Sequence, residues 1–486
     1  MSRFEVPLII RGRVVAGEQI EFGGRRGGAT LAATDVRPHM ADLPLRSGSE
    51  LADLYTLRFD QIVEFLLALG EKLDFRTNAW LQEAFEAASL TSGLTRDILA
   101  NTYAGVSRFY SKAVLHDWAE RTAGIDHLEG WVLRPFPTGG HAAVRAFGAR
   151  SVHVVAGNSP AVSMLTIGQN AITRSDAIIK APSNDPLTAA AIARTMIDLA
   201  PDHPITRHLS VAYWKGGDAA VEDVLYQPKN IEKLVAWGGL ASVTHIAKYV
   251  QPGIDLITLD PKLSSTIIGR EAFESEATMR EVAERLANDV GCMNQEGCVN
   301  ARVIYVHTGT DPAGLEKANR FGALVHEAVQ ALPSHVSGPG KGLPPELADE
   351  MDGLRYAPEL YRVSGGGAKG AVIVSQTDEP VEFSRLLGGR VANLVPIDSL
   401  EIPVLAVNAY TQTIGIYPES LKAALRDRLG IQGAQRLVSL GYATGSPYAG
   451  PQDGIEPLRR VVRWVVEECY EPSEFPFPSR RKPALK

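Results

Sequence analysis

The chain has 486 residues, enough for about three domains of roughly 150 residues each. Hydrophobic residues make up 45% of it and charged residues 22%, a balance that is typical of a soluble globular protein and argues against a disordered or fibrous chain. The 49 Lys and Arg against 56 Asp and Glu give a net charge of −7, which disfavours nucleic-acid binding because such proteins usually carry a basic surplus.

Cysteine usage and the first residues of the chain bear on its compartment. The three cysteines, Cys292, Cys298 and Cys469, are too few and too unevenly spaced for a disulfide framework, which favours a reducing compartment. No long apolar segment follows the N-terminus, and no apolar run approaches the ~20 residues that span a bilayer. The eleven histidines include no HExxH motif and the cysteines no CxxC pair, so no metal site is expected. We therefore expect a cytoplasmic protein without a membrane partner.

The first third of the chain predicts a strand, then helices, then strands again. Residues 5–15 alternate like a strand, and 23–28 (GGRRGG) read as a turn because the Lys-Ser/Thr of a phosphate loop is absent. Residues 50–130 carry apolar side chains at helical spacing behind a Ser cap. Residues 130–158 predict two or three strands around a Pro/Gly turn.

From residue 150 to 265, short β-branched runs alternate with helical stretches. This rhythm predicts a parallel sheet with ligands at the carboxyl ends of its strands. It carries no Gly-x-Gly-x-x-Gly at a strand–helix turn, the standard dinucleotide fingerprint. Residues 266–460 predict a second αβ region, 459–470 an amphipathic helix, and 471–486 a Pro-rich basic tail.

Three segments carry candidate chemistry. Asn158, on a Gly/Pro turn between strand and helix, could direct its amide at an oxyanion, although an Asn in this position usually caps a helix. Lys180, at a strand end before a Pro and a helix, suits a ribose or phosphate, although a solvated lysine is the commoner case. Cys298, after a helix and a Gly-containing turn, could be a nucleophile with a lowered pKa, although a buried structural cysteine is commoner.

The order of these three residues resembles the aldehyde dehydrogenase superfamily. In that family an Asn in a Trp-Asn-Phe-Pro-like turn lies about two dozen residues before a Lys-Pro-x-Glu-x-x-Pro-Leu-Thr stretch, and the catalytic Cys follows much later. Here 22 residues separate Asn158 from Lys180, and residues 180–189 (KAPSNDPLTA) match the stretch without a gap. The resemblance covers about residues 50–470.

Within the superfamily, the chain is most similar to the bacterial acyl-CoA reductase (LuxC-like) branch. That branch makes aldehydes from activated acids. The segments that carry this closer resemblance are 234–239 (LVAWGG), 295–298 (QEGC), 411–415 (TQTIG), 433–436 (GAQR) and 451–454 (PQDG).

The resemblance implies an α/β fold of the aldehyde dehydrogenase type. It assigns a Rossmann-type cofactor domain to 1–125 and 148–262, and an αβ catalytic domain to 263–470. A small β oligomerisation element would comprise 126–147 and 471–486. The family uses such an element to extend a neighbour's sheet, which implies a homodimer or a dimer of dimers.

The implied reaction is acyl transfer followed by hydride transfer. Cys298 would attack an acyl-CoA or other acyl thioester and expel CoA, while the Asn158 amide and the Cys298 backbone N–H hold the oxyanion. A nicotinamide cofactor would then reduce the acyl-enzyme to the aldehyde. The adenosine end of this cofactor would contact Lys180, Pro182 and Ser183.

Departures from the superfamily pattern refine the expectation. Asp260 stands where hydrolytic relatives have a Glu that acts as the general base. Its shorter side chain reaches less far toward a water molecule, which suits a thioester reductase. The alternative is that Asp260 still serves as this base. Ser183 replaces the Glu of NAD-preferring relatives, which removes a charge that would repel a 2′-phosphate. This favours NADPH, with NADH possible.

The remaining candidates follow from the same resemblance. The family's Glu-x-Phe-Gly-Pro segment, which holds the nicotinamide ribose, is not found cleanly, and Glu382 is the candidate for that contact. Arg390 could pair with CoA or, more commonly, with a surface carboxylate. Gly238 and Gly239 could let the cofactor approach the backbone closely, and Trp237 is expected in the core rather than on an adenine. Cys292 and Cys469 are interpreted as structural.

Two other functions stay open at this point. One is aldehyde oxidation with water, with Asp260 or another carboxylate as the base. The other is a catalytically silent binding protein of the same fold, against which the joint presence of Asn158, Lys180 and Cys298 argues.

Overall fold

The computed structural model describes residues 2–23, 29–136, 140–259, 262–445 and 450–469. Three predictions concern residues that lie mostly or wholly outside these ranges. They are the turn at 23–28, the general-base alternative Asp260 and the tail 471–486.

Strands and helices alternate through most of the chain. The strands are β1 (Ser2–Val6), β2 (Leu8–Ile10), β3 (Arg13–Val15), β4 (Gln19–Gly23), β5 (Ala29–Thr34), β6 (Val132–Pro135), β7 (His141–Phe147), β8 (Arg150–Val154), β9 (Asp176–Lys180), β10 (Leu209–Ala212), β11 (Lys233–Trp237), β12 (Asp255–Leu259), β13 (Leu263–Ile268), β14 (Ala301–Val306), β15 (Tyr361–Gly365), β16 (Ala371–Ser375), β17 (Val391–Pro396), β18 (Thr411–Tyr417), β19 (Arg436–Ser439) and β20 (Arg463–Cys469). The α-helices are α1 (Phe59–Lys72), α2 (Ala79–Thr91), α3 (Arg96–Gly105), α4 (Lys112–Thr122), α5 (Ile125–Glu129), α6 (Ala161–Ile172), α7 (Thr188–Leu199), α8 (Pro204–Arg207), α9 (Ala219–Leu225), α10 (Leu240–Ala247), α11 (Glu276–Gly291), α12 (Pro312–Ala331), α13 (Pro345–Leu354), α14 (Glu401–Ala406), α15 (Glu419–Gln432) and α16 (Pro457–Val461).

The first seven-stranded sheet has the order β12-β11-β8-β9-β10-β2-β3, and its strands from β8 to β12 are parallel. Helices α6 and α7 cover one face, together with α1 to α4. Helices α9 and α10 pack on the other face. The strand order reverses between β8 and β11, which is the point where ligands bind in open sheets of this kind.

The N-terminal segment differs from the single strand that its alternation predicts. It forms three short strands, and β2 pairs with β3 as an antiparallel hairpin. Arg11 and Gly12 both have positive φ at the turn, 49° and 78°, a conformation whose twist matches that of the paired strands.

The second seven-stranded sheet has the order β15-β16-β17-β14-β13-β18-β19 and is parallel except for β15. Helices α11 and α12 pack together and bury an apolar cluster against its central strands. Each begins at a side-chain cap: Ser275 accepts from the Thr278 N–H, and Asp311 from the Gly314 N–H. The second αβ region is therefore confirmed.

Two three-stranded sheets complete the fold, β1-β5-β4 and β20-β7-β6. The helix predicted over 459–470 is wrong, because α16 ends at Val461 and Arg463–Cys469 forms β20, which pairs antiparallel with β7. The strand pair expected at 126–147 thus gains its third strand from within 263–470. Among the described residues, no helix has both the length and the apolar character needed to cross a bilayer.

Candidate active site

The segment that carries Cys298 is a short loop between α11 and β14. Helix α11 ends at Gly291, and a tight turn follows in which Met293, Asn294 and Gln295 all have positive φ. Non-glycine residues rarely adopt this conformation, and such strain is held only where the surroundings impose it. The loop is therefore fixed by its contacts rather than by its own preference.

Two side chains supply those contacts. Asn300 accepts from the Gly297 N–H at 3.0 Å and donates to the carbonyls of Asp289 and Cys292, each at 3.0 Å. The Gln295 amide donates to the Ala301 and Val391 carbonyls and accepts from the Val391 N–H. These bonds tie the loop to the end of α11 and to β17, and they leave Cys298 in one defined place.

Gly297 has to be glycine for a steric reason. A Cβ at this position would lie 2.8 Å from Asn300 Oδ1, the atom that holds the loop. Any larger residue would displace the Asn300 side chain.

Cys298 is partly exposed, and its carbonyl accepts a hydrogen bond of 2.6 Å from Ser264 Oγ on β13. Burial raises the pKa of its thiol, and the charge of Asp453 raises it further. A hydrogen bond from Gln412 and the charge of Arg302 lower the pKa by less. The lowered pKa suggested by the sequence is therefore wrong, because the loop lies among protein atoms that the sequence pattern does not reveal.

Gln412 and Asp453 are functional candidates that sequence reasoning did not assign. The Gln412 Nε2 group donates to Asp453 Oδ1, while Gln412 Oε1 is buried and has no partner. Because a carboxylate only accepts, Asp453 fixes the amide so that its NH2 faces both the carboxylate and the Cys298 sulfur. Both residues lie in segments that resembled the acyl-CoA reductase branch, 411–415 and 451–454.

We expect Asp453→Asn to move the pH midpoint of Cys298 alkylation to lower pH. The substitution removes a negative charge that disfavours the thiolate, and Asn can still accept from Gln412. The check is the iodoacetamide rate on the Cys298 peptide, measured by mass spectrometry across pH. Glu456→Gln, on the same segment, is the control and should leave the midpoint unchanged. An unchanged midpoint in Asp453→Asn would contradict the electrostatic coupling.

Asn158 meets the loop of Cys298 although 138 residues separate it from Glu296. Its Nδ2 donates to the Glu296 carbonyl at 3.3 Å, and its Oδ1 is buried without a partner. The preceding Gly157 has no space for a side chain, since a Cβ there would lie 2.2 Å from Asn184 Oδ1. The Asn184 side chain thus fills the space beside residue 157. At the position of residue 157 the aldehyde dehydrogenase superfamily has an aromatic residue.

Lys180 ends β9 on the face covered by α9. Burial lowers the pKa of its ammonium, and the carboxylate of Glu222 opposes that effect. Its Nζ lies 5.5 Å from the centre of the Trp214 ring. Glu222 is buried and accepts from Trp214 Nε1, the Gly217 N–H and His245 Nε2. Sequence reasoning missed Glu222, because nothing local distinguishes it from a surface helix glutamate.

The other cofactor candidates lie at neighbouring strand ends. Pro182 and Ser183 follow Lys180 and are half-buried. Trp237 ends β11 and packs in the core cluster that includes α6 and α7, as expected, with its Nε1 unpartnered. Gly238 is half-buried, and Gly239 is exposed at the start of α10, where a Cβ would meet no atom within 4 Å.

Glu382 and Arg390 have different surroundings. Glu382 is exposed between β16 and β17, and among the described residues no hydrogen bond or ion pair joins it to Cys298. Its role therefore stays a prediction. Arg390 is 3% exposed, so the surface ion pair expected as the commoner case is wrong. Cys292 is partly buried at the end of α11, and Cys469 is exposed on β20.

Solved structures confirm the fold. Aldehyde dehydrogenase 21 from Physcomitrella patens aligns with a TM-score of 0.72 and 13% identity, covering 97% of this chain and 99% of that one. The NADP-dependent glyceraldehyde-3-phosphate dehydrogenase from Bacillus halodurans aligns with a TM-score of 0.70 and 13% identity, over 96% and 99%. At this identity the likeness concerns the fold alone, and it is the aldehyde dehydrogenase fold that the sequence predicted.

Sequence relatives narrow the family. A long-chain acyl-protein thioester reductase of Photorhabdus luminescens is 30% identical over 74% of this chain and 71% of its own. The protein of that name from Vibrio harveyi is 25% identical over 95% of this chain and 93% of its own. The family model "Acyl-CoA reductase (LuxC)" matches residues 133–464, which include Asn158, Lys180, Cys298 and Asp453. The chain therefore belongs to the LuxC family of acyl-CoA reductases.

Proposed function

We propose that the protein reduces an acyl thioester to the aldehyde with NADPH, through an acyl-enzyme thioester on Cys298. Family membership supports an oxidoreductase that acts on acyl thioesters. The observation that carries the finer proposal is the fixed loop of Cys298 with the Asn158 amide directed at it. We propose acyl-CoA as the donor, and the relatives' names include a protein-bound thioester as a second source.

Acyl transfer comes first. The Cys298 sulfur forms a bond to the thioester carbonyl carbon, and the bond from this carbon to the CoA sulfur breaks. The proton of the Cys298 thiol leaves with the departing sulfur, so that CoA is released as a thiol. The second N–H of the Asn158 amide and the Cys298 backbone N–H hold the oxyanion. Cysteine suits this step because its thioester is easily formed and easily reduced.

Reduction releases the product. A reduced nicotinamide cofactor, when bound, supplies a hydride to the acyl carbon. The same oxyanion donors then hold the negative oxygen on the carbon attached to the Cys298 sulfur. Breakage of the bond between this carbon and sulfur gives the aldehyde and returns the Cys298 thiolate. Gln412 donates to the sulfur and stabilises its leaving.

The residues at the carboxyl ends of the first sheet fit the adenosine end of such a cofactor. Lys180 is a buried cation that lies next to the Trp214 ring. The carboxylate of Glu222 compensates only part of its positive charge. The first N–H groups of α10 have no side-chain cap, and Gly239 leaves space in front of them. A helix start of this kind favours a phosphate, and Lys180 and Ser183 would bind the 2′-phosphate and ribose.

We expect Ser183→Glu to shift cofactor preference from NADPH toward NADH by about tenfold or more, because a new carboxylate would repel the 2′-phosphate. The measurement is kcat/KM for both cofactors at fixed acyl-CoA. Ser183→Ala is the matched control, since it removes the hydroxyl without adding charge. Equal effects of the two variants would contradict the repulsion argument.

Aldehyde oxidation with water is the competing function. It needs a carboxylate base, and the candidate Asp260 lies outside the described residues. A reductase gives no free acid from aldehyde and NADP⁺ in the absence of CoA, whereas a hydrolytic enzyme does. Analysis of the products therefore separates the two functions.

The decisive experiment omits the nicotinamide. Purified protein is incubated with a panel of acyl-CoAs, its intact mass is recorded, and peptide mapping locates the adduct. We expect one acyl increment on the peptide that contains Cys298, and its extent ranks the acyl groups. No increment with any acyl-CoA, or an adduct elsewhere, would exclude the acyl-CoA form of the proposal.

We further propose a homodimer or a dimer of dimers through the sheet β20-β7-β6. Both edge strands carry exposed apolar side chains, Leu133 on β6 and Val466 on β20. Open edges with apolar residues favour pairing with another chain. Light scattering measures the mass in solution, and a monomer at micromolar concentration would contradict this assembly.

A further inference from the structure

A cavity of about 260 Å³ borders the loop of Cys298. The loop contributes Asn294, Gln295 and Glu296 to its wall, and three basic residues, Arg302, Lys341 and Arg390, contribute to the rest together with several glycines. We call it the cationic cavity. A second cavity of about 510 Å³ shares Glu296 and Lys341 with it and extends the space to Thr91 and Asn184.

Arg390 carries a buried charge without a counter-ion. Its Nη2 donates to the Val329 carbonyl at 2.7 Å, but Nε and Nη1 are buried and have no partner. In the part of the chain that the structure describes, no carboxylate lies within ion-pair distance of this guanidinium. Burial lowers the pKa of the Arg390 guanidinium, as expected for a positive charge that no carboxylate compensates. A buried charge of this kind is costly unless it is paired, so an anion is expected to complete it.

Arg302 adds a second such charge. It donates to the carbonyls of Leu387, Asn300 and Gly297, and none of the described carboxylates forms an ion pair with it. These bonds use three of its five N–H groups and leave its charge. Glu296, which takes part in other interactions, offsets part of the positive charge of the cavity. Two guanidinium groups at one cavity are the usual recognition chemistry for phosphate.

The position of the cavity identifies the source of that phosphate. Lys180, the main cofactor candidate, lies with Trp214 and Glu222 on the face covered by α9 and α10. The two cavities instead reach Thr91 at the end of α2 and Asn184 before α7, on the opposite face of the first sheet. Arg302 is four residues from Cys298, at most about 14 Å of extended chain. A donor that reacts with Cys298 can therefore reach this cavity.

We propose that the cationic cavity binds the phosphate of the donor's phosphopantetheine arm, with Arg390 as the principal ligand and Arg302 beside it. The inference rests on the proposed acyl-thioester reduction and names the donor class. CoA and an acyl carrier protein both carry this arm, whereas an acyl group on a protein cysteine does not.

The test compares donors with the same acyl chain, one as acyl-CoA, one as acyl-phosphopantetheine and one as the N-acetylcysteamine thioester, which has no phosphate. Wild-type kcat/KM should be about tenfold or more higher for the two phosphorylated donors than for the N-acetylcysteamine thioester. In Arg390→Met this ratio should fall to about one, with the KM for NADPH unchanged. Arg362→Met, at an exposed position on β15, is the control for the lost charge. Acyl carrier protein as donor then shows whether the arm is used free or protein-bound.

Several outcomes would overturn the inference. They are equal wild-type rates with all donors, an advantage confined to acyl-CoA, an advantage that survives Arg390→Met, or a changed KM for NADPH. If no donor acylates Cys298, the proposed function fails, and thermal stabilisation by phosphopantetheine but not by pantetheine still decides the cavity. If Arg390→Met does not fold, the wild-type comparison and this thermal shift remain decisive.

Discussion

Cys298→Ala is expected to lower thioester reduction by at least about 10⁴-fold, because the variant has no nucleophile to hold the acyl group between donor and hydride. Cys298→Ser should be nearly as slow. Its hydroxyl is a weaker nucleophile than a thiol, and the oxygen ester it would form resists hydride reduction. Aldehyde formation from acyl-CoA and NADPH measures both variants, and intact mass without cofactor shows whether either becomes acylated.

Cys292→Ser and Cys469→Ser are the matched controls for this prediction. Cys469 is exposed on an outer strand, and a serine at position 292 can keep the hydrogen bond that the Cys292 thiol makes with Thr444. Neither side chain takes part in the proposed chemistry, so activity should stay within about twofold of wild type. Substantial activity in Cys298→Ala, or loss of acylation in Cys292→Ser, would assign the nucleophile elsewhere.

The sequence predicted those parts of the molecule that depend on local pattern. Alternating β-branched runs and helical stretches predicted the parallel sheet from β8 to β12, because each strand and helix of such a sheet is contiguous in the chain. The resemblance placed Asn158 and Cys298 in one site, and the structure brings the Asn158 amide to the backbone two residues before Cys298. Asn158 follows β8 of the first large sheet and Glu296 precedes β14 of the second, so this bond joins segments at the two sheets.

The parts that the sequence did not predict depend on contacts between distant residues. Ser264 Oγ bonds both the Cys298 carbonyl and the Thr413 N–H, which places Gln412 at the sulfur, yet 149 residues separate Ser264 from Thr413. No local pattern marks such a bridge. The raised pKa of Cys298 has the same origin, because burial and the Asp453 charge arise only when the loops have assembled.

Strand β20 shows a related limit. In the segment 459–470, apolar and charged residues are spaced so that the segment would have an apolar side either as a helix or as a strand. Its pairing partner β7 lies more than 300 residues earlier in the chain. Seven residue pairs join the two strands, the first being Arg463 with Phe147 and the last Cys469 with His141, and this pairing determines the strand. Such long-range pairing overrides local preference.

Asn158→Ala is expected to lower kcat by about 10²–10³-fold, the usual effect of removing one oxyanion donor. The amide has one N–H on the Glu296 carbonyl and a second available to the oxygen that becomes negative. Because this bond strengthens as charge develops, the loss should appear in kcat, while KM for acyl-CoA changes little. Steady-state kinetics with acyl-CoA and NADPH measure the split.

Asn158→Asp distinguishes oxyanion stabilisation from positioning of the loop. Aspartate fills the same space, but it lacks the N–H groups and places a charge beside the developing oxyanion, so it should be at least as slow as alanine. If Asn158 only positioned the loop, both variants would change the iodoacetamide rate of Cys298 in the absence of substrate. An unchanged alkylation rate together with a lost kcat supports the oxyanion role. An Asn158→Asp enzyme with near wild-type kcat would contradict it, because an acceptor without N–H groups cannot stabilise an oxyanion.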